Sequence, residues 1–121
     1  IFRVAETHLI AAEAFLGANN TASALTHINR VRERATGVVD HYTSIDLDVL
    51  LEERALELIG ESNRWAALKR MGKLEERVGL YNPHYIDHGA FDAAKHLLRP
   101  IPVKELELSP GFMEQNPLYT N

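Results

Sequence analysis

Apolar residues recur at spacings of three and four through the first two thirds of the chain, which is the period of helices with one buried face. One such run extends from Arg3 to Leu16, and a second continues to Ala35. Gly17 stands where a left-handed residue could close the first helix, and Asn19-Asn20-Thr21 offers oxygens that could cap the second. Because the connection is so short, the sequence predicts two antiparallel helices of tetratricopeptide size.

The pattern continues into two further helices. Gly37 is expected to end the second helix, and Thr43-Ser44-Ile45-Asp46 has the form of a capping box at the start of a third. Gly60 interrupts the third helix, and Ser62-Asn63 can cap a fourth that runs to Gly72. We expect a turn at this interruption and not a kink within one long helix.

The periodicity fades after about Leu74, where glycines and prolines become frequent. Pro83 and Gly89 argue against a regular helix between them. At 121 residues the chain has the size of one domain. The predicted fold is therefore mainly α: a single domain, 1–121, with tetratricopeptide-like helix pairs over 1–73 and an irregular, proline-rich segment of loops and short turns over 74–121.

Composition excludes several classes of protein. The net charge is −4, from 13 basic and 17 acidic residues, which argues against a general nucleic-acid binder. No apolar run is long enough to span a bilayer. The absence of cysteine excludes disulfides, thiol catalysis and cysteine-bound zinc. The chain begins at Ile1 without an initiator methionine or signal-peptide pattern, so we expect a mature or excised piece.

Four charged residues form the most regular polar pattern. Arg54, Glu57, Glu61 and Arg64 are separated by three, four and three residues, so they would line one stripe of a continuous helix. The two carboxylates could serve as an acid–base pair. A structural network of ion pairs is the preferred interpretation, because each carboxylate has an arginine at hand.

The histidines raise the question of a metal site. His84 and His88 have the spacing of two ligands on one helix face, and Asp92 is close enough in sequence to join them in a small metal-dependent hydrolase. We favour surface histidines, because the segment lacks the HExxH pattern. His8 is expected to be packed and hydrogen-bonded, whereas His27 has no partner pattern.

No motif for a nucleophile, a phosphate loop or dinucleotide binding is present, and no cofactor is predicted. Aromatic rings can stack on the apolar faces of sugars. Tyr81 and Tyr85 are the candidate ligand-binding residues, because they lie in the loop-rich stretch. Trp65 is expected to belong to the core.

Three ordered motifs resemble those of the SusD/RagB family. The family phrase ER-x-x-EL…EG-x-RW-x-DL-K-R is similar to Glu53–Leu58, Glu61, Arg64-Trp65 and Leu68-Lys69-Arg70. Its closing PIP…E…NP…QNPxY pattern is similar to Pro100-Ile101-Pro102, Glu105, Pro110, Gln115-Asn116-Pro117 and Tyr119. Its helix-pair phrase is similar to Ala12-Glu13-Ala14, Ala24-Leu25, Ile28-Asn29, Val31-Arg32 and Arg34-Ala35.

The chain also departs from the family pattern at four positions. Ala67 stands where the family usually has Asp, Ser62 where it has Gly, and Gly60 where it often has a large apolar residue. Ser109 replaces the usual Asn before Pro110. The loss of the Asp puts one family ion pair in doubt.

The resemblance implies a function as well as a fold. Members of the family are lipoproteins on the cell-surface side of the outer membrane that bind glycans or other polymeric nutrients and cover a TonB-dependent, SusC-like transporter. They are not enzymes, and they are several times longer than this chain. The chain therefore resembles a C-terminal scaffold domain or fragment, whose lipid anchor would lie on the missing N-terminal part. The alternative is a tetratricopeptide-like module that binds a protein partner.

Overall fold

The computed structural model describes residues 3–61, 64–89 and 91–119, without the side chains of 86–88. Its described residues form eight α-helices and no strand, which confirms the prediction of a mainly α fold. The chain divides into two compact units, Ile1–Ser62 and Asn63–Asn121. The helices are α1 (Val4–Gly17), α2 (Thr21–Thr36), α3 (Leu47–Glu57), α4 (Arg64–Arg70), α5 (Leu74–Tyr81), α6 (Pro83–His88), α7 (Ala93–His96) and α8 (Val103–Leu108).

The first unit packs α1, α2 and α3 around one apolar core. The core residues of α1 and α2 repeat at the predicted spacings, since each helix turns one side chain in three or four toward the same face. Leu9, Ile28 and Leu50 are fully buried and represent one helix each. The remaining buried members of this core are Ala5, Ala12, Ala24, Val31, Ile45 and Leu58.

The turn between α1 and α2 uses two asparagines. Asn19 adopts a left-handed conformation with φ +58°, which asparagine tolerates better than most residues. The side chain of Asn20 accepts a hydrogen bond from Ser23 N at 3.1 Å, which confirms the predicted cap. The expectation that Gly17 is the left-handed residue is wrong, because Gly17 is the last residue of α1 and the chain reverses two residues later.

The boundaries of α2 and α3 follow similar rules. Gly37 has φ +74° and donates its N–H to Glu33 O, as predicted for the end of α2. The N-cap of α3 is Asp46, whose side chain accepts a hydrogen bond from Val49 N at 2.8 Å. The capping-box prediction is wrong in register, because Thr43 precedes the helix by four residues and Asp46 itself supplies the cap.

A turn separates α3 from the next helix, as expected. α3 ends at Glu57, and Gly60 adopts φ +73° in the turn that follows. The predicted cap at Ser62-Asn63 lies outside the described residues. In the second unit, Gly72 with φ +68° follows α4, which again matches the predicted stop.

The second unit is more helical than the sequence suggests. The prediction against a regular helix near Pro83 and Gly89 is wrong, because Pro83 begins α6 and Gly89 follows its last residue. Pro83 occupies the first helical turn, where its missing N–H costs nothing, and Asn82 Oδ1 accepts from His84 N at 3.0 Å. Gly89 ends the helix with φ +58°. Gly79 in α5 allows the ring of Tyr85 in α6 to pack close to its backbone, since a Cβ at this position would lie 3.3 Å from Tyr85 Cε1.

Within the described parts of the chain, no helix combines the length and the apolar character needed to cross a bilayer.

Candidate functional site

Glu57 is the centre of an ion-pair cluster that joins the three helices of the first unit. Its carboxylate, whose side chain is 6% exposed, accepts hydrogen bonds from Arg3 Nη1 at 3.0 Å and from Arg34 Nη2 at 2.7 Å. Arg3 also donates to the main-chain oxygen of Glu57 at 2.8 Å and to the Glu61 carboxylate. Arg3 precedes α1, and Arg34 lies near the end of α2. Glu57 therefore binds the start of α1 and the end of α2 to α3.

Two residues of the predicted charged stripe have a partner that their sequence spacing does not indicate. Glu57 and Glu61 share Arg3, a partner that no short-range pattern could reveal because it lies 54 residues before Glu57. Arg54 is buried, 7% exposed, and its Nη1 lacks a hydrogen-bond partner in the described part of the chain. Arg64 begins α4 in the second unit. A four-residue network of Arg54, Glu57, Glu61 and Arg64 stays a prediction.

A second polar cluster fixes the segment between α2 and α3. Glu53 is 1% exposed and accepts hydrogen bonds from Tyr42 Oη at 2.7 Å and Arg32 Nη1 at 3.3 Å. Asn29 closes the cluster, since its side chain donates to Tyr42 O at 2.9 Å and accepts from Tyr42 N at 2.8 Å. Burial raises the pKa of the Tyr42 hydroxyl to about 12, and the hydrogen bond to Glu53 acts in the same direction. This tyrosine is a structural anchor.

The candidate ligand-binding tyrosines lie on consecutive helices but in different surroundings. Tyr81 is 64% exposed at the end of α5, with the Arg77 guanidinium 5.6 Å from its ring centroid. Tyr85 is half-buried on α6 and makes an edge contact with Phe91 at a centroid distance of 6.4 Å. Tyr81 therefore offers a ring to solvent, whereas Tyr85 belongs to a packed aromatic group.

Phe91 is the middle of that aromatic group. It also meets Trp65 edge-on at 5.9 Å and His96 at 5.5 Å. The prediction that Trp65 is a core residue is wrong, because 36% of its surface remains exposed. α4 has only two turns, so its apolar face is too short to bury a ring of this size.

The histidines are placed as follows. His84 lies on α6 and the side chain of His88 is outside the described residues. Asp92 caps α7 through a hydrogen bond from Ala94 N at 2.9 Å. In the described part of the molecule, no three His, Cys, Asp or Glu side chains are grouped so as to hold a metal ion. His8 and His27 form a hydrogen-bonded pair, and no spacing in the sequence indicates this partner of His27.

The C-terminal motif binds back onto the segment before it. The Gln115 side chain accepts a hydrogen bond from Ile101 N at 2.8 Å and donates to Ile101 O at 3.0 Å. Asn116 Nδ2 donates to Arg99 O at 2.6 Å. Tyr119 Oη lies 2.9 Å from Leu98 O, to which it can donate. We refer to these contacts of Gln115, Asn116 and Tyr119 as the C-terminal clasp.

In the residues that the structure describes, the ion-pair clusters and the C-terminal clasp belong to a mainly α-helical protein whose recognisable motifs bind segments of its own chain. The family model described as SusD family matches residues 1–119. The chain belongs to this family.

Two relatives from Formosa agariphila are similar over nearly the whole chain. "SusD-like protein P25" is 32% identical over 96% of this chain, and "SusD-like protein P2" is 33% identical over 97%. "SusD-like protein" from Bacteroides ovatus is 43% identical over 54% of this chain. The chain spans 23% and 25% of the lengths of the two Formosa proteins. No solved structure is significantly similar to it.

Proposed function

We propose that this chain is the C-terminal scaffold part of a cell-surface lipoprotein that binds glycans or other polymeric nutrients and works with a TonB-dependent, SusC-like transporter of the outer membrane. The family match over residues 1–119 carries the proposal. Membership of the family supports the binding role, the transporter partner, the lipid anchor and the absence of catalysis in this proposal.

The contacts of the motif residues support a scaffold role for this part of the protein. Glu57 binds Arg3 and Arg34, and Gln115 binds the main chain of Ile101. Side chains that are hydrogen-bonded within the fold in this way are not available to a ligand. Most of the glycan-binding surface therefore lies outside these motifs.

Of the two candidate tyrosines, Tyr81 is the one suited to a subsidiary sugar contact, because its ring is exposed and can stack on the apolar face of a sugar. In the full-length protein, Tyr81→Ala is expected to weaken polysaccharide binding about two- to tenfold, the usual range for one stacked ring. Leu80→Ala, at a neighbouring exposed residue of the same helix, is the matched control and leaves the affinity unchanged.

Calorimetry against a panel of polysaccharides tests the main proposal. We expect the full-length protein to bind at least one polysaccharide and the 121-residue chain alone to bind weakly or not at all. Co-purification from solubilised outer membranes tests the transporter partner. A full-length protein that binds no polymer and retains no transporter would refute the proposal.

A protein-interaction module is the second candidate, and the exposed apolar residues of α1 are where it would bind. Val4 and Ile10 are 75% and 49% exposed on this helix and lie about 120° apart around its axis at 100° per residue. If Ile10 contacts a protein partner, Ile10→Asp abolishes co-purification of that partner, and Glu75→Lys in α5 has no effect. Glycan affinity stays intact in both variants under the main proposal.

A further inference from the structure

The side chains of His8 and His27 meet between α1 and α2. Their Nδ1 atoms are 2.9 Å apart, and both residues are half-buried. Phe15 stacks against the His27 ring at a centroid distance of 5.4 Å and an angle of 17°. The two imidazoles are thus held in place by the packing of the helix pair.

The geometry is that of a hydrogen bond and not of a metal site. The ring centroids are 5.1 Å apart, well beyond the separation of the nitrogens, so the two Nδ1 atoms point toward each other and not toward a third point. A tetrahedral metal ion lies about 2.0–2.1 Å from each imidazole nitrogen, so two nitrogens that share it would be about 3.3–3.4 Å apart, farther than these two are. The observed gap accommodates one proton.

Only certain protonation states fit this contact. In the neutral pair, one ring carries its proton on Nδ1 and donates, and the other accepts through an unprotonated Nδ1. A first added proton enters at Nε2 of the donor ring, which leaves the hydrogen bond intact and strengthens it with a charge. A second added proton can enter only at the accepting Nδ1, where it removes the acceptor and sets two cations against each other.

We propose that the His8–His27 contact makes the α1–α2 pair sensitive to acid: the pair accommodates one added proton and is opened by the second. Since the unfolded chain binds both protons and the folded pair only one, stability falls as the pH falls. The effect is independent of the proposed glycan-binding function.

Charged groups on the two helices themselves do not offset the second charge. Glu6 and Glu13 lie about 140–160° around α1 from His8, at 100° per residue. On α2, Arg30 follows His27 by one turn and pairs with Glu33 at 3.6 Å. Arg34 follows by two turns and is bound to Glu57.

The charged groups of α3, the third helix of the unit, are engaged in contacts or bear the wrong sign. Glu53 is bound to Tyr42 and Arg32, and Glu57 to Arg3 and Arg34. Asp48 and Glu52 have contacts of their own, and Arg54 would add positive charge.

Urea unfolding of the wild type and of His27→Gln, followed from about pH 7.5 to about pH 5, tests the proposal because this range brackets the ordinary titration of histidine near pH 6.5. The unfolding constant of the wild type should rise relative to that of the variant by up to about tenfold per pH unit at the acid end. His41→Gln, at an exposed histidine, should follow the wild type. Parallel curves for the wild type and His27→Gln overturn the proposal.

Nitrogen-15 spectra of the wild-type imidazoles provide a second measurement that needs no variant. At pH 7.5 we expect one Nδ1 of the pair to carry a proton and the other to carry none. The accepting Nδ1 should become protonated only as the α1–α2 contact is lost. Two rings that both lack a proton on Nδ1, or both Nδ1 atoms protonated in an intact pair, contradict the proposal.

Discussion

Arg34 Nη2 lies 2.7 Å from both carboxylate oxygens of Glu57, although one residue is near the end of α2 and the other is the last of α3. The Glu57 side chain is almost fully buried, whereas Arg34 keeps 61% of its side chain exposed. Arg3 reaches the same carboxylate from the start of α1. One carboxylate therefore binds two guanidinium groups, and its charge contributes more to the stability of the first unit than the charge of a surface acid does.

Removing the charge of Glu57 should destabilise the first unit. Glu57→Gln leaves two arginines facing a neutral amide, and we expect a loss of about 1–3 kcal/mol in the free energy of unfolding, below the full value for a buried pair because both arginines are partly exposed. The control is Glu33→Gln, which removes an exposed pair with Arg30 and should cost no more than about 0.5 kcal/mol. Urea denaturation measures both, and equal losses would contradict the central role of Glu57.

Tyr42→Phe should weaken the anchor of the α2–α3 segment. The change removes one of the hydrogen bonds to the buried Glu53 carboxylate and leaves the contact with Arg32 at 3.3 Å, so we expect a loss of about 1–3 kcal/mol in the free energy of unfolding at neutral pH. Tyr81→Phe, at an exposed ring, is the matched control.

The same tyrosine predicts a dependence on alkaline pH. The pKa of Tyr42 is raised to about 12 in the folded chain, from about 10 in the unfolded one, so its contribution is present below pH 10 and is lost as the pH rises through 12. The wild type should lose stability relative to Tyr42→Phe across that interval. A tyrosinate absorbance titration should show one late step that Tyr42→Phe removes and Tyr81→Phe retains.

Two glycines with open space around them should respond oppositely to alanine. Gly37 has φ +74°, where a Cβ is strained, so Gly37→Ala should cost about 1 kcal/mol. Gly17 is helical, so Gly17→Ala should be neutral or stabilising by up to about 1 kcal/mol. Thermal unfolding distinguishes the two variants. Shifts of the same sign in their unfolding temperatures would show that backbone conformation does not cause the difference in stability.

The C-terminal clasp can be tested at a single amide. Gln115→Ala removes the acceptor of the Ile101 N–H, so exchange of that amide with solvent should become faster. Glu114→Ala, at the exposed residue before it, should leave the rate unchanged. An Ile101 amide equally protected in both variants would mean that the side chain of Gln115 contributes nothing to the protection.

The sequence predicted the parts of the fold that depend on local chemistry. The spacing of Leu9 and Ile28 located the buried helix faces, and Asn20 and Gly37 marked boundaries because their roles depend on neighbouring backbone groups alone. Gly17 was misassigned because asparagine can also adopt a left-handed conformation, as Asn19 does.

The partners of the charged and aromatic residues could not be predicted in the same way. Arg3 and Glu57 are 54 residues apart, and Tyr42 and Glu53 are 11 apart in separate segments, so no helical spacing connects them. The burial of Trp65 depends on how much apolar surface its neighbours provide, which a local pattern does not contain. The candidate role of Tyr81 rests on its exposure, which only the fold reveals.

The position of Glu57 has a consequence for how the first unit opens. Its carboxylate touches residues at the start of α1 and the end of α2 while its own backbone belongs to α3. Fraying at the end of α3 breaks the bonds to both other helices, and fraying at the start of α1 or the end of α2 breaks a bond to α3. The three helices should therefore unfold cooperatively, as one exchange unit and not as a sequence of independent openings.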